Sequence, residues 1–232
     1  MLERLFGLER KRRRALDQCP QGPLRDYLAV APPAPATELE AVEIVSLDLE
    51  TTGLDPHRDH ILSMGWVVVR GLRVRLGSAE RHMLRIADPV PAEAAALHGI
   101  TDDRAACGEA LEVVLPRLLQ VLAGRVLLAH YARLELRFLD AACRRCYGGP
   151  FLARSIDTLI LAHRVLERRN HTIQTGDLRL FALSRRFGLP TYKAHDALYD
   201  ALATAELFLA LAADIAPRPP RPLKWFLAGG RA

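Results

Sequence analysis

Apolar runs of strand length recur along the middle of the chain, separated by short polar turns. Residues 41–49 form one such run, and it ends in polar residues. Residues 72–76 alternate strictly between apolar and polar side chains, which is typical of a half-buried strand. On this basis we predict strands at 41–49, 60–70, 72–76 with an extension at 81–85, 125–131 and 153–157.

Other segments repeat their apolar residues every three to four positions, which predicts helices. Pro116 complicates the helix at 109–122, because proline costs a backbone hydrogen bond unless it lies in the first turn. Strands come first and then alternate with helices, so the predicted class is α/β with a mixed sheet. We predict helices at 2–16, 91–98, 109–122, 132–146, 158–168, 178–187 and 196–213.

Two proline-rich segments suggest where the folded domain begins and ends. Residues 31–37 read APPAPAT, and residues 217–222 read PRPPRP. Such composition is typical of linkers. We therefore predict an N-terminal extension and linker at 1–40, a folded domain at 41–216 and a basic proline-rich tail at 217–232. The tail carries large apolar residues close together, and we expect them to dock on the domain: Leu223, Trp225 and Phe226.

Length and composition narrow the class of protein. The chain has 232 residues, half of them apolar, which suits one domain with short extensions. No apolar run reaches the roughly 18 residues of a membrane span. The first 14 residues mix charged and apolar side chains, unlike a secretory signal. We expect a cytoplasmic protein without membrane contact.

Charge and cysteine content change this picture little. The net charge is +5, and the tail contributes basic residues and no acid. A polyanionic partner and a merely solvated basic tail both fit. The cysteines number four, too few for a disulfide scaffold. Cys143 and Cys146 form a CxxC pair, which we interpret as two ordinary thiols; a zinc or redox site is the alternative.

Two carboxylates stand at the end of the first predicted strand. Alternation directs Leu47 and Leu49 into the core and places Asp48 and Glu50 together on the opposite face. Two such carboxylates repel each other unless a cation neutralises them. Oxygen ligands favour Mg²⁺ or Mn²⁺. The residues that follow, Thr51, Thr52 and Gly53, end the strand and allow the backbone to approach a ligand closely.

A second group of polar residues begins the last predicted helix. Asp196 can cap this helix, which leaves His195 just before it and Asp200 one turn inside. A histidine beside a carboxylate and a metal site can accept a proton from water. A surface histidine and aspartate at an ordinary helix start would look the same in isolation.

Taken together, these segments resemble the DEDD 3′→5′ exonucleases, in the DEDDh or DnaQ-like branch whose third motif carries histidine. The proofreading epsilon subunit of DNA polymerase III belongs to this family. Residues 48–54 (DLETTGL) match the first motif, and residues 195–200 (HDALYD) match the third, H-x-A-x-x-D. Residues 97–101 (LHGIT) are similar to the H-G-I-T segment. The resemblance covers about residues 41–212.

The second motif departs from the family pattern A-H-N-A-x-F-D. Residues 129–135 read AHYARLE, so Tyr131 replaces the asparagine, Leu134 the phenylalanine and Glu135 the second aspartate. Glutamate keeps the charge and adds one methylene. Glu135 can still hold a second metal directly or through water, but the altered length puts its geometry in doubt.

The resemblance implies an RNase H-like fold, a mixed central sheet flanked by helices, and hydrolysis with two Mg²⁺ or Mn²⁺ ions. Asp48 would bridge both ions, with Glu50 and Asp200 on the first and Glu135 on the second. His195 would deprotonate the attacking water, and the product would be a nucleoside 5′-monophosphate. Residues matching positions around the 3′-terminal nucleotide are Leu49, Thr51, Thr52, Gly53 and His98.

The favoured hypothesis is therefore a metal-dependent 3′→5′ exonuclease acting on DNA single strands or 3′ overhangs. An exonuclease of RNA or short oligonucleotides is the alternative enzyme, since that choice depends on how the pocket treats the 2′-hydroxyl. The altered second motif also allows a nucleic-acid-binding pseudo-exonuclease. A proofreading subunit would need a polymerase-binding segment, and neither extension shows one that we recognise.

Overall fold

The computed structural model describes the backbone of residues 2–228 and the side chains of residues 7–228. Its strands form one mixed five-stranded sheet in the order β3-β2-β1-β4-β5. Strands β1, β2 and β3 pair antiparallel, whereas β4 and β5 continue from β1 in parallel. The strands are β1 (Glu43–Thr51), β2 (Ile61–Arg70), β3 (Arg73–Met83), β4 (Val126–Ala129) and β5 (Ser155–Asp157).

Helices cover both faces of this sheet. No helix within the described residues is long and apolar enough to cross a membrane. Short 3-10 turns lie at Leu39–Ala41 and Leu223–Trp225. The helices are α1 (Leu2–Gln18), α2 (Pro23–Ala29), α3 (Ala92–His98), α4 (Asp102–Ala106), α5 (Leu111–Leu122), α6 (Arg133–Tyr147), α7 (Thr158–Arg168), α8 (Leu180–Arg186) and α9 (Ala197–Ile215).

The predicted α/β class with a mixed sheet flanked by helices is confirmed. Three local expectations change. The segments 72–76 and 81–85 belong to one long strand, β3, whose pairing with β2 shifts register between Trp66 and Val68. Helices α2 and α4 were not predicted: α2 lies in the segment interpreted as an extension, and the five residues of α4 are too few to show a helical period. Helix α5 continues through Pro116, which lies beyond its first turn.

The sheet separates two main apolar cores. Helices α7, α8 and α9 cover one face, where Ile44 and Leu128 of the sheet meet Phe208 of α9. On the other face α1, α2, α5 and α6 pack against Val45, Leu47 and the other side chains that point away from α9. Because the central strands are covered on both sides, nearly every residue of β1 and β4 is buried.

Both extensions contact the sheet domain. Leu24 and Leu28 of α2 are buried in the core beneath α5. At the other end, the 3-10 turn Leu223–Trp225 is followed by Phe226, which packs edge-on against Phe208 with ring centroids 6.1 Å apart. A backbone hydrogen bond of 2.9 Å from Leu39 N to the Arg221 carbonyl joins the two extensions. The apolar residues of the tail thus belong to the core.

The burial of Phe226 predicts that the tail contributes stability. Phe226→Ala should lower the free energy of unfolding by about 3–5 kcal/mol, the usual cost of removing a buried aromatic ring. Urea unfolding followed by circular dichroism measures it. The exposed neighbour Lys224 supplies the control, and Lys224→Ala should change stability by less than about 0.5 kcal/mol. Equal stability of both variants would contradict the docked tail.

Candidate active site

Two acidic residues of β1 face helix α9 across the centre of the sheet. Successive residues of β1 point to opposite faces of the sheet. Leu47 and Leu49 therefore join one core, while Asp48 and Glu50 lie on the face covered by α9. On that side the Ser46 hydroxyl donates a 2.7 Å hydrogen bond to the Ala201 carbonyl and ties the strand to the helix. The alternation expected from the sequence is therefore present.

A glycine on the neighbouring strand sets how closely α9 approaches these acids. Gly65 pairs with Asp48 across β1 and β2. A Cβ atom at Gly65 would collide with backbone atoms of Ala197 and Leu198, the first residues of α9. The missing side chain therefore lets the helix start against the sheet beside Asp48. Sequence reasoning missed Gly65, although a glycine inside an apolar strand often marks such a close approach.

This approach gathers three carboxylates. One oxygen from each of Asp48, Glu50 and Asp200 lies within 4.8 Å of the other two. Glu50 Oε1 and Asp200 Oδ1 are buried, and neither has a hydrogen-bond partner among the residues that the structure describes. Buried carboxylate oxygens without donors are costly unless a cation meets them. The residues present thus fit divalent ions that prefer oxygen ligands.

Burial and repulsion from neighbouring carboxylates raise the pKa values of Asp48 and Asp200. Burial raises the pKa of Asp48 well above its ordinary value, and the neighbouring carboxylates of Glu50, Glu135 and Asp200 raise it further. Burial, followed by the charge of Glu50, raises the pKa of Asp200 to about 7. Without a cation, the cluster therefore holds protons near neutral pH.

His195 lies beside the cluster at the start of α9. Its backbone is in the left-handed region with φ 61°, and its N–H points to Asp200 Oδ2 at 3.4 Å. The following Asp196 caps the helix by accepting the N–H groups of Leu198 and Tyr199, as expected from the sequence. The imidazole remains exposed, so it can reach a water or a substrate in front of the carboxylates.

His98 has a more specific position than the sequence indicated. It is the last residue of α3, before Gly99 with φ 65°. Its Nδ1 lies against Glu50 Oε2, and both side chains are largely buried. The ring also lies edge-on to His195, with centroids 6.0 Å apart. The H-G-I-T segment thus contributes a direct neighbour of Glu50.

Glu135 is buried beside the three-carboxylate cluster but is not part of it. It lies in the first turn of α6 and is only 2% exposed. Burial, with a contribution from the nearby Asp157, raises the pKa of Glu135 to about 8. The preceding Tyr131 adopts φ 69° and is 49% exposed, which is an unusual backbone for an aromatic residue. Tyr131 thus turns the chain through the left-handed region just before α6, the helix that carries Glu135.

Asp157 and His130 have structural roles. Asp157 accepts N–H groups of Tyr131, Ala132 and Leu159, so it caps α7 and holds the start of the second motif. His130 bonds to the Thr158 hydroxyl at 2.8 Å and to the Leu178 carbonyl at 2.9 Å. Burial lowers the pKa of His130.

The remaining predicted substrate residues surround the end of β1. The Thr51 hydroxyl donates to the Gly53 carbonyl at 2.6 Å, and the Thr52 hydroxyl donates to Asp59 Oδ1 at 3.2 Å. Gly53 packs against the Asp59 carboxylate, where a Cβ would collide. The Leu49 side chain is buried in the core, so its backbone is the part left to face a nucleotide.

A mixed five-stranded sheet with acids from its central strand and a flanking helix defines the RNase H-like class of nucleic acid-processing domains. The family model described as "Exonuclease" (RNase_T) matches residues 45–208. The chain belongs to this exonuclease family.

Individual relatives have related descriptions. A "DNA polymerase III PolC-type" protein of Thermotoga maritima is 31% identical over 166 residues, which cover 71% of this chain and 11% of that protein. A "DNA polymerase III subunit epsilon-like protein" of Rhodobacter capsulatus is 34% identical over 180 residues, covering 75% of this chain and 24% of that protein. The match thus spans about a quarter or less of these relatives.

Among solved structures, E. coli exonuclease I in complex with a dT13 oligonucleotide is similar in fold. Its TM-score is 0.65 at 20% identity, over 75% of this chain and 41% of that one. The likeness agrees with the RNase H-like architecture.

The close approach at Gly65 predicts a large effect of one methyl group. Gly65→Ala should push α9 away from β2, destabilise the protein by about 1–3 kcal/mol and separate Asp200 from Asp48. Thermal unfolding and Mn²⁺ binding by calorimetry measure the two effects. Gly77 on β3 has open space around it, so Gly77→Ala is the matched control and should retain metal binding. Unchanged binding in Gly65→Ala would contradict this role.

The raised pKa values predict how stability depends on pH when divalent ions are removed. An acid whose pKa rises on folding contributes stability that is fully present when the pH is below its unfolded pKa, near 4. This contribution disappears as the pH rises through the pKa of the folded state. For Asp200 and Glu135 the window is about pH 4 to 8. With chelator, the Tm should therefore be higher by several degrees at pH 5.5 than at pH 8.

Metal should reverse this trend. Added Mn²⁺ should raise the Tm more at pH 8 than at pH 5.5, because ions bind the deprotonated carboxylates. Scanning calorimetry at both pH values with and without Mn²⁺ measures the difference. A metal-free Tm that increases from pH 5.5 to pH 8 would mean that the carboxylates are not destabilised by burial. Asp200→Asn should weaken the pH dependence.

Proposed function

We propose that this chain is a metal-dependent 3′→5′ exonuclease that removes nucleoside 5′-monophosphates from DNA. The observation that carries the proposal is the cluster of Asp48, Glu50 and Asp200 at the junction of β1 and α9, with His195 exposed beside it. Membership of the exonuclease family supplies the reaction class. The 3′→5′ direction and the use of ions rest on the motif match at 48–54 and 195–200.

Asp48, Glu50 and Asp200 would hold Mg²⁺ or Mn²⁺, with Asp48 shared between two ions and Glu135 on the second. The all-oxygen donor set and the unpartnered atoms Glu50 Oε1 and Asp200 Oδ1 support this assignment. When bound, such ions stabilise the charge on the attacking and leaving oxygens of a phosphodiester. Glu135 would reach its ion from the edge of the cluster, directly or through water.

His195 would act as the general base. The Asp200 carboxylate accepts its backbone N–H, so the left-handed turn holds the residue in front of the metal-binding acids. The exposed ring can accept a proton from the water that attacks the phosphorus. The proton then leaves to solvent, because the ring is open on its outer side. His98 and the backbone of 49–53 would contact the terminal nucleotide.

A groove beside the acids suits a single strand. It extends from His195 and Asp200 past Leu97 and His130 to α8, and its lining includes Arg179, Phe181 and Arg185. Arginine side chains bind phosphates, and exposed apolar side chains offer surface to unstacked bases. The groove therefore combines the two chemistries that a single strand presents.

DNA is the favoured substrate, because the relatives are described as DNA polymerase III proteins and the similar solved structure holds a DNA oligonucleotide. RNA and short oligonucleotides are the alternatives. A polymerase partner is likewise a proposal that the relatives' names raise. The four free cysteines agree with the expected cytoplasmic location, where thiols stay reduced.

The proposal is tested with oligonucleotides labelled at either end. With Mg²⁺ or Mn²⁺, 5′-labelled DNA should shorten stepwise, and 3′-labelled DNA should release labelled mononucleotide at once. Asp48→Ala should abolish hydrolysis, since it removes the ligand shared by both ions. Asp103→Ala changes an exposed aspartate on α4 and should leave the rate unchanged.

Other outcomes of the same assay separate the alternatives. Faster shortening of matched RNA would establish the RNA alternative. Binding of either strand without any cleavage would establish the pseudo-exonuclease. Asp48→Ala with the parent rate would contradict the catalytic assignment, whichever substrate is preferred.

The altered second motif predicts a metal preference. Glu135 is longer than the family's aspartate and lies beside the cluster, so the ion it holds should tolerate looser geometry. Mn²⁺ accepts such geometry better than Mg²⁺, and activity should be higher with Mn²⁺. Glu135→Gln should lose most activity, whereas Glu135→Asp should retain a measurable part.

Steady-state rates in each metal measure this prediction. Glu112→Gln, an exposed site on α5, is the control and should behave as the parent. A Glu135→Gln variant as active as the parent would show that Glu135 is not a functional ligand.

A further inference from the structure

A second group of ligand atoms adjoins the three carboxylates. Glu50, His98 and His195 each offer one atom, and these atoms lie within 4.8 Å of one another. They line a small cavity between α3, β3 and the start of α9, together with Arg81 and Arg104. Only Glu50 belongs to both groups, so this cavity is a distinct place for a cation.

The chemistry of this second group differs from that of the first. Asp48, Glu50 and Asp200 offer oxygen only, whereas the second group offers two imidazole nitrogens and one carboxylate. Mg²⁺ and Mn²⁺ favour oxygen ligands, while imidazole suits zinc. Two histidines and one glutamate form a ligand set found in zinc enzymes, with a water in the fourth position.

Burial and missing partners indicate that the cavity is suited to a ligand. Glu50 is 4% exposed, and its Oε1 has no hydrogen-bond partner within the described part of the chain. The side chain of His98 is 9% exposed and directs Nδ1 at the other oxygen of Glu50. The unpartnered oxygen of Glu50 is therefore available as a ligand for a cation.

The charges around the cavity have both signs. Arg81 forms an ion pair with Asp196, so its charge is offset. Arg104 donates to the Gly99 carbonyl and is exposed to solvent, which screens its charge. Asp48 and Asp200 each have an oxygen within 4.8 Å of a Glu50 oxygen and add negative charge.

We propose that Glu50, His98 and His195 form a binding site for one Zn²⁺ ion, separate from the Mg²⁺ or Mn²⁺ sites but sharing Glu50 with them. Zinc–ligand bonds of about 2.0–2.2 Å place tetrahedral ligand atoms about 3.4 Å apart. Glu50 and His98 are held by β1 and α3, so the exposed His195 is the ligand that closes on the ion.

Zinc in this site would inhibit the proposed reaction. It would take Glu50 from the catalytic ions and occupy the imidazole that accepts the proton from water. This consequence rests on the proposed function, whereas zinc binding itself does not. A protein without nuclease activity can still bind zinc, so the two proposals are tested separately.

The first experiment measures binding without nucleic acid. The metal-free full chain is titrated with Zn²⁺ against a chromophoric chelator, and with Mn²⁺ in parallel. The parent should bind one Zn²⁺ tightly. His98→Ala should weaken zinc binding by at least about 100-fold, because it removes a direct ligand, and should leave Mn²⁺ binding within about threefold.

A matched control tests whether any histidine near a glutamate would serve. His163 and Glu167 form an exposed pair on α7 at 3.1 Å. His163→Ala should bind zinc as the parent does. X-ray absorption of the zinc complex should show two imidazole ligands in the parent and one in His98→Ala, a readout that does not depend on activity.

Three results would overturn the site. Zinc affinity unchanged in His98→Ala would place zinc on the carboxylates alone. An equal loss of Zn²⁺ and Mn²⁺ binding would reduce His98 to a structural support, and thermal unfolding of the variant checks for this. An absorption spectrum without imidazole scattering would exclude both histidines.

If the site exists and the protein is a nuclease, low zinc should inhibit the Mn²⁺-dependent parent, and His98→Ala should need at least about 10-fold more zinc for half-inhibition.

Discussion

The repulsion between buried carboxylates is the constraint on which this structure depends. Asp48, Glu50 and Asp200 are brought together by the central strand and the start of α9, and no side chain at Gly65 keeps the helix away. Without a cation, separating these carboxylates would lower the free energy of the folded protein. Their proximity is maintained by the apolar packing of α9 against the sheet, so hydrophobic burial supplies the free energy that holds the acids together.

Glu50 connects two kinds of chemistry. Glu50 belongs both to the oxygen cluster and to the group that it forms with His98 and His195. On the two proposals, this single carboxylate would serve either hard ions or a borderline ion, depending on which set of partners is engaged. The position of His195 in a strained left-handed turn, between both groups, agrees with the tendency of such backbone to occur at functional sites.

Both extensions contribute buried side chains to the apolar cores of the sheet domain. Helix α2 covers one core, and Phe226 with Leu223 completes the other. The two extensions pack on opposite faces of the sheet and also bond to each other through Leu39 and Arg221. A groove lined by Arg179 and Arg185 extends from His195 to α8.

The sequence by itself determined the strands, the long helices and the identity of the acids. Alternation over 41–49 was enough to place Asp48 and Glu50 on one face, since the period of a strand is a local property. The helix cap at Asp196 was equally local. Only the tertiary structure decided that Gly65 admits α9, that His98 reaches Glu50 and that Glu135 lies beside the cluster. These facts depend on contacts between residues that are distant in the chain. The spacing of residues along the sequence does not determine how far apart such side chains lie in space.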